Sequence, residues 1–380
     1  MTSDNSFSPS DKNASRRQFV NGMLAGALAS CVTRGAFGAE SRAIKAIAAD
    51  KGILFGSSVG AGRPGTLAGS FNDPRYLEIL KTECSILVPE NELKSYVIAA
   101  ERDRYNFEPG DRIAEFAKAN GLKLRGHNLL WNRAEYTPKW LIEWFGAQNA
   151  QEGERWLREY IQKVCTHYGD QIHSWDVVNE TVEPKTGEIR ETPFTRVLGF
   201  DALRIAYEAA RESAPHAQLV YNDYMSWGAE DGKHRTGVLK LLQQFKARKV
   251  PVDALGIQSH LGSGAGQHRE WKAFVDEVVA MGYRLLITEF DISDKDVSGD
   301  LKARDTRVAA VARDYLDMMF SYRQLDQVLC WGMVDKYSWL QRFSPRADKA
   351  PLRPDPYDDL YQPKLLREAI AAALMSARRR

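Results

Sequence analysis

Residues 173–180 read His-Ser-Trp-Asp-Val-Val-Asn-Glu, and residues 284–291 read Arg-Leu-Leu-Ile-Thr-Glu-Phe-Asp. Each opens as a short, largely apolar strand, His173–Asn179 or Arg284–Phe290, and ends on amide or carboxylate side chains. Such a run fits a strand buried on both sides, as in a parallel sheet covered by helices. Working outward, six further runs of this kind appear: Ile53–Val59, Ser85–Pro89, Lys123–Asn128, Gln218–Asn222, Ala254–Ser259 and Val328–Met333. Stretches of helical period lie between them, such as Asp111–Asn120, Glu152–His167, Phe200–Ser213, Gly237–Lys249, Glu270–Met281 and Lys302–Gln324. Alternation of this kind predicts an α/β fold with a parallel sheet, and eight units are the number that closes a single (β/α)8 TIM barrel. An open doubly wound sheet is the alternative, but no Gly-rich phosphate loop follows the first run. The barrel is assigned to residues 40–375, with Leu360–Met375 as its closing helix. Residues 376–380 read as a basic tail, frayed and solvated.

The chain has 380 residues, 44% hydrophobic and 27% charged, an ordinary globular balance. Its formal net charge of +2 gives no field that favours nucleic acid. Nine Trp are either large core residues or flat faces for the C–H side of a sugar ring. Cys31, Cys84, Cys165 and Cys330 match no CxxC or zinc spacing, and the last three read as buried thiols. No cofactor and no metal is expected. A barrel metallohydrolase would carry an HxH pair at the end of strand one, where Gly56-Ser57-Ser58-Val59 stands. Nor does the sequence imply a protein partner.

In such barrels the chemistry gathers at the C-terminal ends of the strands. Standing there are Glu90, Asn91, His127, Trp131, Asn179, Glu180, Asn222, Gln258, His260, Glu289, Asp291, Trp331 and Asp335. One buried carboxylate at a strand end is structural; a ring of polar and aromatic groups predicts a site. Glu180 and Glu289 close strands four and seven, roughly opposite each other across the mouth. Glycoside hydrolysis needs that pairing, because one acid protonates the leaving oxygen while a carboxylate attacks or activates water. Asn179 is placed to hydrogen-bond a sugar 2-hydroxyl, a contact that strengthens in the transition state.

Seven motifs in order then carry a family likeness: Glu90-Asn91-Glu92-Leu93-Lys94, Arg125-Gly126-His127 through Trp131, Trp175–Glu180, Asn222-Asp223-Tyr224, Gln258-Ser259-His260, Thr288–Asp291, and Trp331-Gly332 through Ser338-Trp339. From Ile53 to Ile370 the sequence resembles glycoside hydrolase family 10, the endo-1,4-β-xylanases. The resemblance implies retaining hydrolysis of xylan and xylo-oligosaccharides, with Glu180 as acid/base and Glu289 as nucleophile about 5–5.5 Å apart. It implies that His260, between Glu289 and Asp291, orients the nucleophile. Glu90, Asn91 and Lys94 would bind the sugar two units toward the non-reducing end. His127, Trp131 and Gln258 would line the reacting subsite, Trp331 and Trp339 would floor and wall it, and Tyr224 would face the leaving group. Asn222 belongs to the same binding set.

Two positions depart from the family pattern. Asn132, followed by Arg133-Ala134-Glu135, stands where a His is usual, and Ser95 stands where an aromatic usually follows the lysine. Both are assigned to the non-reducing side of the cleft.

The first 39 residues read as an address. Ser15-Arg16-Arg17-Gln18-Phe19-Val20 ahead of the apolar stretch Gly22 to Val32 resembles a twin-arginine secretion leader. Ala36-Phe37-Gly38 offers a cleavage site near residue 39, the preferred reading, with export to the periplasm or outside. Leu28-Ala29-Ser30-Cys31 offers a lipobox as the alternative, and only a lipidated Cys31 would place the protein on a membrane. Removing residues 1–39 takes the net charge from +2 to zero, which suits a neutral polysaccharide.

Overall fold

The computed structural model describes residues 42–62 and 67–380. The proposed leader, with Arg16, Arg17 and Cys31, lies outside the described residues. Eight strands run parallel: β1 (Leu54–Val59), β2 (Ile86–Pro89), β3 (Lys123–Trp131), β4 (Ile172–Asn179), β5 (Gln218–Asp223), β6 (Ala254–Ile257), β7 (Arg284–Ser293) and β8 (Leu325–Cys330). Each pairs with the next in chain order, and β8 pairs with β1, so the sheet closes as a (β/α)8 barrel. A short piece, His260–Gly262, extends the barrel wall by pairing with the upper part of β7.

Closure explains why the strands look apolar on both faces. Outward side chains meet the helices, while inward ones fill the barrel in two small clusters, Ile86, Val88, Leu329 and Trp331 on one side and Val220, Ala254 and Leu286 on the other. The wall also needs one very close approach. A Cβ at Gly126 would fall 2.0 Å from the Trp175 ring on the neighbouring strand, so only glycine fits there.

Boundaries differ from the sequence reading in instructive ways. β3 continues past Asn128 to Trp131 because Leu129 and Leu130 keep burying apolar surface and a bulge restores pairing with β4. β8 begins at Leu325 and stops at Cys330, and Gly332 then turns the chain with φ +132. The helix Pro74–Glu83 was not among the stretches named from the sequence; Asp73 caps it, accepting from the Arg75 and Tyr76 backbone N–H groups at 2.9 and 3.4 Å. The closing helix spans Leu365–Ser376, not Leu360–Met375, because Pro363 lacks the N–H needed to continue a helix through it. The solvated-tail reading fails at Arg380. Its backbone N–H donates to Lys51 at 2.9 Å and its guanidinium to the Leu325 carbonyl at 3.0 Å, pinning the chain to the base of the barrel. Cys84, Cys165 and Cys330 are buried free thiols, as expected.

Candidate active site

The strand ends converge on two glutamates. Glu180 follows β4 in the left-handed region, at φ +54, which is costly for a side chain with a Cβ and is kept only where surrounding contacts enforce it. Its Oε1 accepts from Gln258 Nε2 at 3.0 Å and from Asn179 Nδ2 at 3.4 Å, and its Oε2 from Arg133 Nη1 at 3.1 Å. Glu289 sits within β7, 4% exposed. Its Oε1 accepts from Asn222 Nδ2 at 2.8 Å, and its Oε2 lies 3.2 Å from His260 Nε2. Asn222 Nδ2 also reaches Asn179 Oδ1 at 2.8 Å, while Asn222 Oδ1 accepts from Thr288 at 2.7 Å. An amide chain through Asn222 and Asn179 therefore ties the two carboxylates together and fixes both.

His260 stands between carboxylates on both sides, with Nδ1 3.0 Å from Asp291 Oδ1, close enough for ion pairing though not aligned as a hydrogen bond. Burial alone would lower its pKa, but Asp291 and Glu289 raise it to about 10, so the ring is cationic at neutral pH. Burial would raise Glu289. The hydrogen bond from His260 and the positive charge around it instead hold the carboxyl at about 2. Glu289 is thus ionised over the whole working range, as a nucleophile must be. Trp339 Nε1 donates to Asp291 Oδ2 at 2.8 Å and so fixes the back of the pair.

A second group lines one side. Lys94 is buried, its Nζ 4.5 Å from the Trp131 ring centroid and 3.3 Å from Asn91 Oδ1. Burial pushes Glu90 up to about 7, with Glu92 and Glu289 adding to the rise and Lys94 opposing it. Trp131 stacks on Tyr136 with centroids 4.0 Å apart. His127 Nδ1 lies 2.8 Å from Asp176 Oδ2, and its ring meets the edge of Trp331 at 5.4 Å. Across the cleft, Tyr224 accepts from Arg190 Nη2 at 2.7 Å.

These residues stand around this mouth, and two readings need correction. Asp335 leaves the rim: Lys364 grips both its oxygens at 2.9 Å, and the carboxyl is 1% exposed. Asn132 does not line the non-reducing side. It is fully buried, donating to Thr181 Oγ1 at 2.6 Å and accepting from Thr192 Oγ1 at 2.7 Å beneath the loop after β4. Next to Ser95, Tyr96 donates to Asn91 Oδ1 at 2.6 Å. Three contributors were not foreseen as such: Asp176, Arg133 and Arg190. Among the described residues no group of His, Cys, Asp and Glu is arranged to hold a metal ion.

Two carboxylates fixed by amides, one backed by a cationic histidine, with aromatic walls on either side, make a site for cleaving a sugar–sugar bond. The known proteins this chain is similar to agree. It is 34% identical over 287 residues to endo-1,4-beta-xylanase A of Caldicellulosiruptor saccharolyticus, covering 72% of this chain and 82% of that protein. Xylanase 10B from Thermotoga maritima superposes with a TM-score of 0.78 at 28% identity, over 87% of this chain and 98% of that one. Xylanase 10B from Thermotoga petrophila, solved in complex with xylobiose, also gives 0.78, at 27% identity over 89% and 98% of the two chains. The family model for glycosyl hydrolase family 10 matches residues 43–373, and the chain belongs to that family.

Proposed function

We infer that the protein is an endo-1,4-β-xylanase that cleaves internal bonds of xylan with retention of configuration. The observation that carries this reading is the asymmetry of the glutamate pair. Glu289 is held ionised by His260 and Asn222, whereas Glu180 takes its hydrogen bonds from amides and one guanidinium on the opposite wall. In this reading Glu289 attacks the anomeric carbon, and the bond to the leaving oxygen breaks as Glu180 delivers its proton. Water, deprotonated by Glu180, then releases the sugar from Glu289. Glu90, Asn91 and Lys94 bind the sugar two units toward the non-reducing end. His127, Trp131, Gln258, Trp331 and Trp339 enclose the reacting unit, and Tyr224 faces the leaving one. Family membership and the xylanase names of the relatives support the substrate assignment.

The deciding experiment follows products from glucuronoxylan and carboxymethylcellulose over time. Early release of mixed oligosaccharides from xylan, with the β-anomer formed first, is the expected result. Preference for the cellulose derivative, or xylose as the sole early product, would overturn the assignment.

A glycine packed against the site's amide network carries a further prediction. A Cβ at Gly256 would fall 2.4 Å from Asn222 Oδ1, the atom that anchors the amide reaching Glu289. Gly256→Ala should lower kcat on xylan by about a hundredfold, the scale expected of an ångström-sized misplacement. Unchanged kcat in a folded variant would show that Asn222 does not position the nucleophile.

We further propose that Arg16-Arg17 directs twin-arginine export. Cleavage near residue 39 is expected, and the lipobox at Cys31 is the alternative outcome of mass analysis of the mature protein. Changing both arginines to Lys should leave uncleaved protein in the cytoplasm; normal processing of that variant refutes the route.

A further inference from the structure

Both carboxylate oxygens of Glu180 have protein partners, and they differ in kind. Oε1 takes neutral amide donors, Gln258 and Asn179, while Oε2 takes the guanidinium of Arg133 at 3.1 Å. A general acid must carry a proton on one oxygen and aim it at the leaving group. With two amide N–H groups already directed at Oε1, the proton belongs on Oε2, the oxygen that Arg133 engages. Arg133 is itself held: Nε donates to Glu135 Oε1 at 2.7 Å, and Nη2 makes a second, shorter contact with the same oxygen. Glu135 therefore fixes the plane of the guanidinium and points Nη1 at Glu180.

No other cation among the described residues takes this place. Lys94 is directed at Asn91 and the Trp131 ring. Arg190 spends Nε on the Glu180 carbonyl, Nη1 on Glu183 and Nη2 on Tyr224. Lys94 and Tyr224 also interact electrostatically with Glu180, and the Asn179 and Asn222 amides link it to Glu289. The cavity beside Arg133, about 280 Å³, is walled by Glu135, Glu183 and Glu191 as well as Arg133 and Arg190, so it is not built to receive an anionic branch. The guanidinium serves Glu180.

We propose that Arg133 is a positioning residue for proton transfer, and that with Glu135 it sets the alkaline limit of xylan cleavage by engaging Oε2 of Glu180. This rests on the assignment of Glu180 as acid/base. The guanidinium lies on the oxygen that must carry the proton, so its position and charge act on the acid step. The dependence falls only on substrates whose leaving group needs a proton.

The test is the pH profile of kcat/KM for two aryl xylobiosides, phenyl (proton needed) and 2,4-dinitrophenyl (proton not needed). In Arg133→Gln the alkaline limb for the phenyl substrate should move up by about one pH unit, the lower end of the effect of a single opposite charge. The dinitrophenyl profile should stay within about twofold of wild type. Glu135→Gln, which loosens the guanidinium, should move the limb in the same direction as Arg133→Gln but by less, and a shift the other way counts against the proposal. Arg133→Lys, which keeps the charge but loses the fork, should restore most of the wild-type limb. A limb that stays put in a folded Arg133→Gln, or equal losses on both substrates, overturns the proposal. A wild-type protein that cleaves neither xylobioside would instead sink the xylanase reading beneath it.

Discussion

Glu289→Ala is expected to abolish turnover of every xyloside, by about 10⁶-fold, the scale of losing a nucleophile for which no substitute is positioned. Glu180→Ala should behave differently, because its role depends on the leaving group. On xylan, loss of the general acid costs about 10²–10⁴-fold. On aryl xylobiosides with good leaving groups the first step needs no proton, so Glu289 is still glycosylated and the intermediate accumulates. Azide should then accelerate that variant by replacing the water that Glu180 would have activated. Retention of the overall stereochemistry fixes the product: attack on the Glu289-linked sugar gives the β-azide. An α-azide from Glu180→Ala, or near-wild-type rates in Glu289→Ala, would reverse or remove the assigned roles. The two differ in their surroundings: Glu289 is backed by the cationic His260, and its carboxyl pKa is held at about 2.

Much of this was legible in the sequence, for a physical reason. Buried parallel strands must be apolar, so a carboxylate at the end of one, as at Glu180 and Glu289, stands out against its own run. Eight such runs fixed the barrel, and the barrel put their ends on one rim. What stayed hidden depends on contacts remote in the chain or on a single step of alternation. Asn132 follows Trp131 along an extended backbone, so it points away from the cleft that Trp131 enters. Asp335 reads as a rim group until Lys364, 29 residues later, neutralises it. Arg133 reads as a substitution within a motif, and its purpose appears only when the turn Ala134–Tyr136 brings Glu135 beneath it. Three terminal arginines read as a solvated tail, yet Arg380 finds backbone carbonyls at the barrel base.

Asp176 shows the same limit with the largest consequence for stability. It lies inside the barrel, 0% exposed, and reaches Arg125 Nη2 at 2.5 Å and His127 Nδ1 at 2.8 Å. Arg125 is equally buried, and among the described residues its other side-chain partner is Ser174, at 3.1 Å from Nε. Asp176→Ala would leave that guanidinium without a counter-charge in the barrel interior. The expected loss is about 3–5 kcal/mol, read as a lower denaturant midpoint at unchanged slope. The stability cost and the catalytic cost are separable. Replacing the pair together, Arg125→Met with Asp176→Leu, removes both charges and keeps the volume, so stability should return to near wild type. Activity should not return with it, because His127 still lacks the carboxylate that holds its ring toward the reacting subsite. Should Asp176→Ala unfold within about 0.5 kcal/mol of wild type, the scale of an ordinary surface substitution, the buried charge is not what Asp176 neutralises. If the double variant recovered full activity along with stability, Asp176 would serve Arg125 alone and the orientation of His127 would have another source.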